Sequence, residues 1–123
     1  MRFNFESDTP IYMQVAEQIE DAVLSGAFGE ETQIPSTTEI SVTYKINPAT
    51  VLKGMALLAE AEILYKKRGV GMFVSKGAAG TILKQRKEAF YKGYIVRLLE
   101  EAQKLHISQQ EIVKMIEEGK ADA

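Results

Sequence analysis

Two capped helices, separated by little more than Tyr44-Lys45-Ile46, constrain this chain more than any other feature. Ser36-Thr37-Thr38-Glu39 is a capping box, in which the serine hydroxyl accepts the backbone N–H three residues on and the glutamate reaches back. It predicts a short helix from Ser36 to about Thr43. Asn47 caps the next helix, and Pro48 stands at its first position, where the missing N–H leaves no bond unmade. Val51, Gly54, Met55 and Leu58 then recur at helical spacing and face inward, leaving Ala49, Thr50, Leu52 and Lys53 on the outer face. Leu64 to Lys67 and Met72 to Ser75 read as two short strands around Gly69-Val70-Gly71, where glycine permits a tight turn. The expected fold is mostly α with a small β-hairpin, a winged helix-turn-helix.

Before this unit, Thr9 reads as an N-cap and Pro10 as a first helical residue, with Ile11, Val15, Ile19, Ala22 and Val23 at helical spacing. That helix ends near Ser25-Gly26, and Phe28 anchors the following loop to the core. After the hairpin, Ala78-Ala79-Gly80 reads as a flexible junction between a domain of residues 1–77 and a helical segment of residues 78–123. There Leu83, Phe90, Tyr91, Tyr94, Ile95, Leu98, Ala102 and Leu105 draw an apolar stripe too large to be left bare. Ser108-Gln109-Gln110-Glu111 opens a short last helix carrying Ile112, Val113 and Ile116, and the tail from Gly119 onward is expected to fray.

Composition closes off several function classes. The chain has no cysteine, so disulfides and thiolate metal sites are excluded, which fits a reducing cytoplasm. A signal peptide and the roughly 18 consecutive apolar residues of a membrane span are both lacking, so the reading is soluble, cytoplasmic and free of membrane. With one histidine and no GxxxxGK phosphate loop, neither an enzyme nor a cofactor or metal site is expected. Glu17, Glu20 and Asp21 read as a solvated helix face. His106 reads as a surface residue, and Tyr12 and Tyr44 as half-buried packing residues.

The net charge of -2 hides an uneven distribution. Residues 1–32 carry seven acids and one base, residues 33–87 nine bases and three acids, and residues 88–123 five bases and seven acids. Positive charge thus coincides with the helix-turn-helix and hairpin, a combination suited to double-stranded DNA: a helix for the major groove beside a cationic ribbon for phosphates. Candidate groove readers are Ala49, Thr50 and Lys53, where lysine donates to guanine edges or a phosphate and the alanine methyl meets thymine. Ser36, Thr38, Lys45 and Asn47 are candidate phosphate contacts at capped helix starts and the turn. Ser36 and Asn47 are equally well explained as caps alone. Lys66, Lys67 and Arg68 are candidate backbone or minor-groove contacts of the wing, with Gly69 and Gly71 permitting close approach. The competing reading keeps the same fold as a protein-interaction module without strong DNA binding.

These residues resemble the GntR-type winged helix-turn-helix transcription regulators, and within them the short YtrA-like branch. The resemblance rests on Pro10-Ile11-Tyr12, Gln14 and Ile19, on Ile34-Pro35-Ser36 with Glu39, on Asn47-Pro48 and Thr50-Val51, and on Arg68-Gly69, Gly71 and Phe73-Val74. It implies a cytoplasmic homodimeric repressor of a palindromic operator, with half-sites roughly 34 Å apart. It also implies that the tail is a two-helix dimerisation arm using Phe90, Tyr91, Tyr94, Ile95, Leu98, Ala102, Leu105, Ile112 and Ile116. Only about 45 residues follow the wing, which leaves little room for a small-molecule effector domain. Thr38 and Val70 stand where the family usually has basic residues, Ala49 where this branch commonly has asparagine, and Glu62 where glycine generally ends the recognition helix. The first three imply modest recognition.

Overall fold

The computed structural model describes residues 1–119. The expected fraying beyond Gly119 therefore lies outside the described residues. The chain forms two compact units, Met1–Leu83 and a second from Lys84 onward.

In the first unit, α1 spans Ile11–Leu24 and buries Val15, Ala16, Ile19 and Val23. The expected Thr9 cap is not formed. Pro10 occupies the cap without a side-chain bond, and the Thr9 carbonyl instead accepts from Gln14 Nε2 at 2.8 Å. The same buried amide exchanges two 2.8 Å bonds with the Asn4 backbone, so Gln14 pins the N-terminal segment while satisfying itself. At the other end Gly26 takes a left-handed φ of +85°, and Phe28 packs against the core.

Helix α2, Thr37–Tyr44, carries the predicted capping box in full: Ser36 Oγ accepts from Glu39 N–H at 3.0 Å and Glu39 Oε1 accepts from Ser36 N–H at 3.1 Å. It stops at Lys45, whose φ of +55° turns the chain. Ser41 secures that turn by donating to the Ile46 carbonyl at 2.6 Å. Helix α3, Pro48–Glu60, follows with Asn47 Oδ1 accepting from Ala49 N–H at 2.8 Å, and it buries Val51, Gly54, Met55 and Leu58 as the spacing predicts. Gly54 lets α1 and α3 meet: a Cβ there would lie 2.6 Å from the Tyr12 carbonyl oxygen and 2.9 Å from Val15.

The hairpin comprises β1, Leu64–Lys67, and β2, Gly71–Val74, paired antiparallel with Leu64 opposite Val74 and Lys67 opposite Gly71. The second strand thus starts and ends one residue earlier than predicted. On its far side the segment 31–34 adds a partial third strand, with Ile34 N–H donating to the Met72 carbonyl and Val74 N–H to that of Thr32. Residues from all these elements, Ile19, Ile40, Val51, Met55, Ile63, Leu64 and Val74 among them, form one buried cluster.

The expected flexible junction at Ala78-Ala79-Gly80 is the start of helix α4, Ala78–Phe90. Ala78 and Ile82 are fully buried in the first unit's core, so two strong helix formers and a well-placed apolar residue outweigh one glycine. The break in the chain is instead Gly77, with φ +78°.

In the second unit the predicted long helix is interrupted. A π-helical segment, Tyr91–Ile95, separates α4 from α5, Val96–Lys104. Just past the end of α5, His106 takes φ +58°, with Ile107 N–H donating to the Ala102 carbonyl and His106 N–H to that of Gln103. This residue, predicted as an unremarkable surface side chain, carries the turn. Ser108 then caps α6, Gln109–Glu118, by accepting from Glu111 N–H. Ala102 and Ile112 are buried within this unit. Among the described residues no helix is long and apolar enough to cross a membrane, and no group of His, Cys, Asp or Glu could hold a metal ion.

Candidate nucleic-acid interface

The outer face of α3 follows from its inner one. With Val51, Gly54, Met55 and Leu58 committed to the core, Ala49, Leu52 and Lys53 are exposed and Thr50 is half-buried. Leu52 is 59% exposed, an apolar side chain with no core role. The Lys53 ammonium sits 4.0 Å from the centroid of the Tyr12 ring, which α1 brings alongside. Tyr12 is half-buried as predicted, but its contact with Lys53 joins residues far apart in the chain, and neither local pattern announces it.

Ser36 and Asn47 are both engaged as caps, so each already holds the amide for which its residue type is selected. Thr38 is exposed on the first turn of α2. Lys45 is exposed at the left-handed corner two residues before Asn47, which brings a cation near the start of α3.

The wing divides its three consecutive cations. Strand alternation sends neighbouring side chains to opposite faces. Lys67 lies with its ammonium 4.2 Å from the Phe73 ring centroid, on the face where Tyr65 and Phe73 stack at 5.7 Å. Lys66 pairs with Met72 on the other face, and Arg68 begins the turn closed by Val70 N–H donating to the Lys67 carbonyl at 2.9 Å. Among the described residues none of Lys45, Lys53, Lys66, Lys67 and Arg68 is ion-paired, so their charge is available to solvent or a polyanion.

Gly69 takes φ +76° in open space, and Gly71 takes φ +147° for a tighter reason. A Cβ at Gly71 would come 2.5 Å from Gln33 Nε2, which donates to the Val70 carbonyl at 2.9 Å. Gln33 was not among the candidate residues, and only its place in the third strand reveals that it braces the wing tip.

In the second unit, Phe90, Tyr91, Tyr94, Leu98, Leu105 and Ile116 of the apolar stripe are exposed, and Ile95 is half-buried. Phe90 and Tyr94 pack on each other with ring centroids 5.2 Å apart. Ala102 and Ile112 face inward and are committed to the unit itself.

Comparison with known proteins places this arrangement in a family. The family model described as bacterial regulatory proteins, gntR family, matches residues 11–74. The HTH-type transcriptional repressor YtrA of Bacillus subtilis is 28% identical over 116 residues, covering 94% of this chain and 88% of the relative. A GntR-family transcriptional regulator from Bacteroides thetaiotaomicron has a similar structure, with a TM-score of 0.75 and 39% identity over 88% of this chain and 94% of the other. The DNA-binding domain of AraR in complex with an operator is similar over 60% of this chain and 90% of the other, with a TM-score of 0.54 and 27% identity.

Proposed function

Because the chain belongs to the gntR family of bacterial regulatory proteins, we propose that this DNA-binding transcription regulator acts in the cytoplasm as a homodimeric repressor of a palindromic operator. Its family members are regulators and not enzymes. The observation that carries the proposal is the outer face of α3, where Ala49 and Lys53 are exposed and Thr50 is half-buried on a helix capped at its start. The similarity to an operator-bound AraR domain supports using that face for a major groove.

Labour divides among three surfaces. Ala49, Thr50 and Lys53 form the groove-facing side of α3, where Lys53 donates to a guanine edge or to a phosphate. Ser36, Thr38, Lys45, Asn47 and the first amides of α2 and α3 hold phosphates, where helix dipoles favour negative charge. Lys66, Lys67 and Arg68 reach backbone or minor groove from the wing, whose glycines keep its main chain slim. In the second unit, Phe90, Tyr91, Tyr94, Ile95, Leu98, Leu105 and Ile116 meet a second copy, with Ala102 and Ile112 supporting them from within.

The test is a duplex-binding titration with a sequence selected from a random pool. Affinity is expected to fall with salt at a log–log slope near -0.9 per phosphate contacted, with about five contacts per subunit. Reversing the charge at both Lys53 and Arg68 is expected to abolish binding. Salt-independent affinity, or unchanged binding by the double variant, would instead favour a winged-helix protein-interaction module.

A further inference from the structure

Lys53 is the groove reader that charge alone suggests, yet its ammonium is held against Tyr12 at 4.0 Å. An ammonium resting on an aromatic face is biased toward that side of the helix, which favours a phosphate at the groove's edge over a guanine edge further in. Thr50 beside it is half-buried, and the exposed side chains that remain on the first turns of α3 include Leu52, 59% exposed, with Ala49 three residues before it on the same face. Neither side chain can donate or accept a hydrogen bond, so neither can read guanine, cytosine or adenine edges. Each can meet the one apolar group the major groove offers, the thymine C5-methyl. Along the helix axis they lie about 4.5 Å apart, close to the ~3.4 Å between successive base pairs, so they suit neighbouring steps.

We propose that the recognition helix selects its operator chiefly through thymine methyl groups, contacted by Leu52 and Ala49, while Lys53, positioned by Tyr12, binds backbone. This rests on the DNA-binding reading above and assigns the specificity of that same surface. The exposure of Leu52 is what carries it. An apolar side chain held in water beside Lys53 loses its unfavourable hydration when a nonpolar group covers it.

The experiment uses the full chain and a duplex selected from a random pool. Thymines are replaced one at a time by deoxyuridine, which deletes the methyl and keeps every hydrogen-bonding edge. We expect about a fourfold loss of affinity at one or two positions in each half-site, the effect of unburying one methyl. Leu52→Ala, at an exposed position on a good helix former, is expected to bind the thymine and uracil duplexes equally at its own position. Uracil throughout the duplex without loss of affinity, or full uracil sensitivity retained by L52A, would overturn the proposal. Failure of the pool to yield any bound duplex would overturn the functional reading beneath it.

Discussion

Gln33 and Val70 lie 37 residues apart in the chain, yet the side-chain amide of the first donates to the carbonyl of the second at 2.9 Å. The wing tip is therefore tied to the strand that leads into α2, and its pose depends on a residue outside the hairpin. At position 71 the backbone itself calls for glycine, with φ +147°, and a methyl group there would also displace the same amide nitrogen, which it would meet at 2.5 Å.

Gln33→Ala is expected to leave the fold intact, with a stability loss below about 1 kcal/mol for an exposed hydrogen bond, and to weaken duplex binding about threefold to tenfold. Gly71→Ala displaces the brace and also strains a φ of +147°, so it is expected to lower stability by about 1–3 kcal/mol. Chemical denaturation beside duplex titration separates the effects. Equal binding by Gln33→Ala and the parent would show that the brace does not position the tip for DNA.

Gly54→Ala tests the packing beneath the reading surface. Alanine improves intrinsic helix propensity by about 1 kcal/mol, but its methyl would lie 2.6 Å from the Tyr12 carbonyl oxygen and 2.9 Å from Val15. Backbone cannot yield as a side-chain tip can, so α1 and α3 must part, at an overpacking cost of about 1–3 kcal/mol. The midpoint of urea unfolding is expected to fall with an unchanged slope. Because Tyr12 moves with α1, duplex affinity is expected to fall as well.

What was legible in the residues is what local chemistry decides. Ser36 with Glu39 and Asn47 with Pro48 announce helix starts because a cap bonds to amides two or three residues away, and the inner face of α3 follows from periodicity alone. The errors lie where competing local signals have similar strength or where the partner is distant. At Ala78-Ala79-Gly80 the glycine suggested a hinge while Ile82, burying itself in the core, settled a helix. The π segment at Tyr91–Ile95 changes hydrogen-bond register without changing the apolar pattern, so spacing could not reveal it. Lys53 on Tyr12 and Gln33 on Val70 are tertiary contacts, set by how α1 meets α3 and how segment 31–34 meets β2.

Glu62 sits at φ +62°, just past the end of α3, where Ile63 N–H reaches back to the Leu58 carbonyl at 2.8 Å. Position 62 thus has the left-handed backbone for which glycine is the usual choice, and its side chain is exposed. Glu62→Gly is expected to stabilise the chain by up to about 1 kcal/mol, less the entropy glycine adds to the unfolded state. A raised unfolding midpoint with unaltered duplex affinity is the expected result. A lowered midpoint would mean that Glu62 makes a favourable contact outweighing its backbone strain.

Ile116, 64% exposed on α6, and Leu105, 67% exposed just beyond α5, belong to an apolar surface that also includes Met115 at 55%. Contiguous apolar area of this kind is rarely left in water on a monomer, and a second copy would cover it symmetrically. Ile116→Glu places a charge on that surface one turn from Ile112, at a position that is itself exposed, so the unit's own helices are expected to persist by circular dichroism. Sedimentation is expected to show a dimer for the parent and a monomer for the variant. Two linked domains gain affinity because the second binding event is intramolecular, so losing the link is expected to weaken palindrome binding by at least about tenfold while barely changing a single half-site. A variant that sediments as the parent does would remove Ile116 from the interface.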